Sequence, residues 1–127
     1  MKKLFAILMT VAGLNSACSQ GFQNADATEF AKLIANPGVV ILDVRTPREF
    51  AEAHIKGAML IDWHEPDFMQ QARKRLPKDK HIAIYCRSGR RSAEAAALLS
   101  KEGYRLTNLR GGIIEWNENH LPIIIKQ

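Results

Sequence analysis

The sequence predicts an α/β domain built on a mostly parallel sheet. Two observations carry that expectation. Short apolar runs, "VVILDV" (39–44), "GAMLI" (57–61), "HIAIY" (81–85) and "LTNL" (106–109), alternate with segments of helical periodicity. The first of them is apolar almost throughout, as in a strand covered on both faces. At 127 residues the chain has room for one domain with a proper core and not two. Its 46% hydrophobic and 24% charged residues are those of an ordered globular protein.

The domain opens with "GFQNADATEFAKLIANPG" (21–38). Asp26 suits a helix cap, and Glu29 stands three residues on as its capping-box partner. Phe30, Leu33 and Ile34 then share one helical face, and Asn36-Pro37-Gly38 ends the helix. After the strand at 39–44, "TPREFAEAH" (46–54) begins a short helix with Thr46 as cap and Pro47 at the first helical position. "GAMLI" is the second strand. "EPDFMQQARKRL" (65–76) is helical, with Phe68, Met69, Ala72 and Leu76 on one side. "HIAIY" is the third strand, and "RSAEAAALLSKEGY" (91–104) is an alanine-rich helix closed by Gly103. "LTNL" is the fourth strand. "GGIIEWNEN" (111–119) is a last short helix with Ile113, Ile114 and Trp116 inward, and "LPIII" (121–125) is expected to pack along an edge.

The residues before Gly21 are read separately. "MKK" is a positive n-region, "LFAILMTVAGL" (4–14) is an apolar h-region of eleven residues, and "NSAC" follows with small residues. That is the pattern of a secretory signal over residues 1–18. It is too short to remain as a membrane-spanning helix, which needs ~20 apolar residues. A cysteine directly after the small residues resembles a bacterial lipoprotein cleavage site, with Cys18 as the lipidated first residue of the mature chain. Cleavage after Ala17 or Ser19 is the alternative. The expected location is therefore the periplasm or a membrane surface of a bacterium, reached by export and without a transmembrane helix.

Charge narrows the partners. The net charge is +5, and Lys2 and Lys3 supply two of it, which leaves +3 from Cys18 onward. That suits a small anion. Basic residues do not interleave with aromatics as in nucleic-acid binders, so no nucleic-acid partner is expected. With Cys18 removed or lipidated, Cys86 is the one free thiol, and a lone thiol in an exported chain is either a buried filler or a reactive group.

Its surroundings decide between the two. Cys86 directly follows a strand, where ligands of such sheets gather. The loop Arg87-Ser88-Gly89-Arg90-Arg91 then leads into a helix. Gly89 permits a positive φ, so the loop can curl and turn its N–H groups inward as a nest for an anion. The helix N-terminus and the arginines add to that field, which favours thiolate, the nucleophilic form. Arg90, flanked by a second arginine, is the one expected to face solvent.

Counting separates sulfur from phosphorus. A cysteine-type phosphatase loop wraps three phosphoryl oxygens and places five residues between its Cys and its Arg. Here only four separate Cys86 from Arg91, and position 92 is Ser. The smaller ring better fits one sulfur atom carried on Cys86.

"LDVRTPREFAEAHIKGAMLI" (42–61) and "YCRSGRRSAEAAALLSKEGYRLTNLRGGIIEW" (85–116) together resemble the signatures of single-domain rhodaneses, the thiosulfate sulfurtransferases. The resemblance covers roughly 24–122. It implies a single rhodanese-like domain over 22–125, with a central, mostly parallel sheet of about five strands and helices on both faces. It implies that Cys86 becomes a persulfide held by Arg87, Ser88, Gly89, Arg90 and Arg91. Asp43 and Arg45 match a motif beside the pocket, and a structural ion pair is the equal alternative for them. His54 matches a motif position with a structural role, whereas His64, His81 and His120 match nothing. The implied reaction moves a sulfane sulfur from a donor such as thiosulfate to cyanide or a thiol, with no cofactor; no metal-ligand spacing is present. The alternatives are a sulfur carrier with little turnover, or a phosphatase or arsenate reductase of the same fold.

Two positions depart from the family's usual pattern. Ala53 precedes His54 where Gly is common, and Ile113 follows the paired glycines where an aromatic is common. If position 53 were left-handed, Ala would cost about 1 kcal/mol there.

Overall fold

Both predicted N-caps form. This computed structural model describes residues 21–126; the leader expected over 1–18 and the lipidation expected at Cys18 lie outside the described residues. After a short strand β1 (Gln23–Ala25), helix α1 (Ala27–Ile34) starts on Asp26, whose carboxylate accepts from the Glu29 N–H while Glu29 accepts from the Asp26 N–H. Strand β2 (Val40–Asp43) leads to helix α2 (Pro47–Glu52), which has the same reciprocal box between Thr46 and Glu49. There follow β3 (Ala53–His54), β4 (Met59–Leu60) and α3 (Phe68–Arg75). Strand β5 (His81–Tyr85) is followed by α4 (Arg90–Lys101), β6 (Arg105–Leu109), α5 (Gly112–Glu118) and β7 (Ile124–Ile125).

The central sheet has five strands in the order β1-β6-β5-β2-β4, all parallel. Strand β5 lies in the middle, so its apolar run is buried on both faces. Its side chains divide by the period of two. Ile82, Ile84 and the following Cys86 join one cluster with Phe68, Ala72, Ala95, Ala96 and Leu99, from α3 and α4. Ala83 and Tyr85 join a second cluster with Phe30, Ile113 and Trp116, from α1 and α5. Helices thus cover both faces of the sheet. Each fully buried Ile or Leu contributes about 1.5–3 kcal/mol to holding these layers together. Phe30 meets both Tyr85 and Trp116 edge-on, at centroid distances of 6.5 and 6.1 Å.

Several local expectations are corrected. The helix expected over 65–76 starts only at Phe68, because Glu65-Pro66-Asp67 forms a turn in which the Phe68 N–H donates to the Glu65 carbonyl. Ile114 faces outward while Ile113 and Trp116 face in. The "LPIII" tail does not join the main sheet. Strand β7 pairs antiparallel with β3 as a separate ribbon, Ala53 opposite Ile125 and His54 opposite Ile124. Ala53 is extended, with φ −167°, so the left-handed condition that would have penalised alanine is not met. The fifth strand, β1, was not expected at Gln23–Ala25, since only Ala25 of its three residues is buried. No helix of the described residues is long and apolar enough to cross a membrane.

Candidate active site

Strands β2 and β5 are neighbours, with Asp43 in register with Tyr85. Their carboxyl ends therefore bring the two motifs named from the sequence to one edge of the sheet. Asp43 and Arg45 leave β2; Cys86 leaves β5.

The Cys86 loop curls as its glycine requires. Gly89 has φ +98°, and a Cβ there would overlap the carbonyl oxygen of Arg110. The curl brings the Gly89 N–H to 3.1 Å from Cys86 Sγ, as a donor. Cys86 is 1% exposed and has no disulfide partner among the described residues. From the other side, α5 grips the loop. Its Ile113 and Ile114 N–H groups donate to the carbonyls of Cys86 and Arg87, at 2.9 and 3.2 Å. That approach depends on Gly112, which has φ +66° and whose Cβ would overlap the Arg87 carbonyl. Gly112 is thus the point at which α5 is moulded against the loop.

The arginines divide. Arg87 and Arg90 are exposed, and neither makes a salt bridge among the described residues. Arg91 turns instead to α2, where its Nη1 and Nη2 donate to Glu49 Oε1 and Oε2, each at 3.0 Å. The Arg91 guanidinium, burial acting against it, holds the Glu49 carboxyl down at about 2, with the Thr46 cap bonds assisting. Arg91 in turn is raised by the same bond. The pair is a brace between the loop and the α2 cap, and its formal charge is cancelled. The positive field at the mouth comes from Arg87 and Arg90, with exposed Arg110 beside Gly89.

Asp43 and Arg45 form the structural ion pair that was one of their two readings. Arg45 Nη2 lies 2.7 Å from Asp43 Oδ2 and also donates to the Ala53 carbonyl at 2.7 Å. The Arg45 guanidinium lies over the Tyr85 ring, 5.6 Å from its centroid. The Tyr85 hydroxyl accepts from the Ile55 N–H, and burial, with the Asp43 charge, pushes that phenol well up from its ordinary value. These bonds tie β2, β5 and β3 together below the loop. His54 is held locally, with Nδ1–H donating to the Phe50 carbonyl and its ring stacked on Phe50. His81 and His64 lie on other contacts, to Thr107 and Asp62.

Four residues at the site were not singled out from the sequence: Glu49, Gly112, Ser92 and Asn108. Ser92 is fully buried in the first turn of α4, with Oγ 3.3 Å from Cys86 Sγ and 2.6 Å from Asn108 Oδ1. Glu49 did have a signal, its place three residues after Thr46, but that spacing predicts a cap and not a partner 42 residues away.

Comparison with known proteins agrees with this geometry. Residues 26–119 match the rhodanese-like domain family. A sulfurtransferase of Allochromatium vinosum is 42% identical over 94 residues, 73% of this chain and 85% of that protein. The thiosulfate sulfurtransferase GlpE of Stutzerimonas stutzeri is 35% identical, over 72% of this chain and 83% of that one. Several plant relatives are longer, and the chain spans only 56–57% of their length. Among solved structures, a rhodanese-related protein from Thermoplasma volcanium superposes with a TM-score of 0.73 at 30% identity, covering 83% of this chain and all of that one. With its sheet order, its glycine-moulded cysteine loop and these matches in agreement, the chain belongs to the rhodanese-like sulfurtransferase family.

Proposed function

We infer that this protein moves a sulfane sulfur from an anionic donor such as thiosulfate to a thiophilic acceptor, cyanide or a thiol, through a persulfide on Cys86. The observation that carries the reading is the cradle itself: a thiol at a strand end, with the Gly89 N–H aimed at its sulfur and uncancelled arginines at the mouth.

The chemistry has two steps. Cys86, having lost its proton to solvent, attacks the outer sulfur of thiosulfate. A bond forms between the two sulfurs, and the bond from outer sulfur to sulfite breaks, its electron pair leaving with sulfite. The persulfide keeps one negative charge, which the loop N–H groups and the arginine field stabilise. Cyanide or a thiolate then attacks the outer sulfur, takes it, and returns Cys86 to thiolate. Arg87, Ser88, Gly89, Arg90 and Arg91 shape the cradle; Asp43 and Arg45 support it from below. The carboxylate on Arg91 adds a second argument against phosphoryl chemistry, because the loop's innermost guanidinium already has a partner.

We also infer export, with residues 1–18 as the signal segment, cleaved before Cys18, and Cys18 as the lipid-bearing terminus; the intact mass of the mature chain tests both. The catalytic reading is tested by steady-state sulfur transfer from thiosulfate to cyanide, with an aryl phosphate as control. Thiocyanate formation with parallel double-reciprocal lines is expected. Phosphate release without thiocyanate would replace the reading with a phosphatase, and loading in a single turnover without further turnover would make the protein a carrier.

A further inference from the structure

Behind Cys86 runs a buried chain of side-chain hydrogen bonds that the two-step reaction does not use. Ser92 Oγ lies near three acceptors: Cys86 Sγ at 3.3 Å, the Gly89 carbonyl at 3.3 Å and Asn108 Oδ1 at 2.6 Å. It has a single proton to give. Asn108, on β6, is itself buried, and its Nδ2 donates to the Gly89 carbonyl at 3.3 Å and to Asn24 Oδ1, on β1, at 3.1 Å.

The orientation of the Asn108 amide follows from chemistry. A backbone carbonyl can only accept, so the nitrogen must face Gly89 and the oxygen must face Ser92. That oxygen is 2.6 Å from Ser92 Oγ and also can only accept. The Ser92 proton therefore points at Asn108, and the lone pairs of Ser92 are turned toward the sulfur. In this arrangement Cys86 Sγ meets one donor, the Gly89 N–H, and one acceptor, Ser92 Oγ. That suits a thiol whose proton bonds to Ser92. A thiolate or persulfide needs donors only. To supply one, the Ser92 hydroxyl must rotate onto the sulfur and leave Asn108 Oδ1 without its proton in a buried site.

We propose that Asn108 is a positioning residue for the sulfur chemistry: by competing for the Ser92 hydroxyl proton, it sets whether Cys86 meets a donor or an acceptor at its inner face. The proposal rests on Cys86 being the nucleophile, and it concerns the state of its sulfur before any donor arrives.

Other charges also bear on that sulfur. Arg91 with Glu49 lies on α4 and α2, the Asp43–Arg45 pair and Tyr85 lie at the ends of β2 and β5, Arg87 lies on the loop and Arg90 at the start of α4, and Arg110 follows β6. None of these is hydrogen-bonded to Ser92 or to the Asn108 side chain among the described residues. A mutant cycle between Ser92 and Asn108 therefore isolates the proton they share.

The experiment is the pH profile of Cys86 alkylation by iodoacetamide, in protein containing no other free thiol. It needs no sulfur donor, so its outcome is independent of whether thiosulfate is a substrate. Asn108→Leu leaves the Ser92 proton two acceptors at 3.3 Å, the Gly89 carbonyl and Cys86 Sγ, of which a charged thiolate is the stronger, so the alkylation midpoint should fall and the rate below it should rise roughly three- to tenfold. In the Asn108→Leu background, Ser92→Ala removes that donor and should move the midpoint back up. The double variant should match Ser92→Ala alone. An unchanged or raised midpoint in Asn108→Leu, or a fall that persists in the Ser92→Ala background, overturns the proposal. Wild-type protein supplies a second readout should the variants not fold. The Asn108 side-chain amide resonances should titrate with the Cys86 midpoint, and amide signals that stay still through that titration contradict the proposal as well.

Discussion

Arg91 and Glu49 face each other in a two-point ion pair, both N–O distances 3.0 Å, across the gap between the cysteine loop and helix α2. The same carboxylate accepts from the Thr46 N–H and hydroxyl. One glutamate thus caps a helix and anchors the innermost arginine of the loop. The charge that draws an anion to the mouth is left to the outer arginines.

This brace makes stability depend on acid in a defined direction. Glu49 is held at about 2, below its ordinary carboxylate range. Its contribution is therefore fully present above about pH 4.5 and is lost as pH falls through the folded value near 2. After allowance for partial exposure, the amount at stake is on the order of 2 kcal/mol. Urea unfolding at neutral pH and near pH 2.5 should show the wild type losing more stability than Glu49→Gln. Equal losses in the two proteins would remove the brace from the account.

Gly112 and Ala53 predict losses for exchanges that run in opposite directions. Gly112→Ala drives a Cβ into the Arg87 carbonyl and strains a left-handed residue, so it should cost more than the ~1–2 kcal/mol of the backbone term and lower sulfur transfer with it. Ala53→Gly restores the glycine common in the family, but Ala53 is already extended. It should therefore bring no stabilisation, and a loss of up to about 1 kcal/mol. A gain in melting temperature for Ala53→Gly would mean that position 53 is strained after all.

The Asp43–Arg45 pair is buried, and removing one partner leaves an uncompensated charge. Arg45→Met should destabilise by about 3–5 kcal/mol. Because the pair acts as support, the fraction that remains folded should keep much of its turnover per molecule. Chemical denaturation beside an activity titrated to folded protein separates the two effects; an intact fold with turnover abolished would move Arg45 into the reaction itself.

Salt should act on donor binding more than on chemistry. Arg87, Arg90 and Arg110 are exposed, so their field is screened as ionic strength rises. KM for thiosulfate should increase several-fold from low to high salt with kcat nearly unchanged. A KM indifferent to salt would assign donor recognition to the N–H groups of the loop alone.

How far the sequence reaches depends on the range of the interaction. Caps, the apolar core strands and the cysteine loop are local patterns. Asp26 with Glu29, the "HIAIY" strand and the Gly89 turn all stand where their residues say. Strand β1 has no apolar run: Gln23 and Asn24 are exposed, and the strand is held by its backbone pairing with β6 and by the Asn108–Asn24 side-chain bond. The β3–β7 ribbon joins segments whose own patterns name no partner. The same holds within the site. Cys86 and its glycine are legible as a strand–turn–helix, whereas Glu49–Arg91 and Ser92–Asn108 join residues 42 and 16 positions apart. Side-chain bonds over such separations leave no periodic trace in a chain.

The central claim is that Cys86 carries the transferred sulfur. Intact-mass spectrometry of the protein after thiosulfate, followed by cyanide, tests it most directly. The account predicts a gain of ~32 Da, one sulfur atom, mapped to Cys86, its loss on adding cyanide, and neither event in a folded Cys86→Ser variant. Undiminished turnover by Cys86→Ser, with no adduct on the wild type, would contradict it.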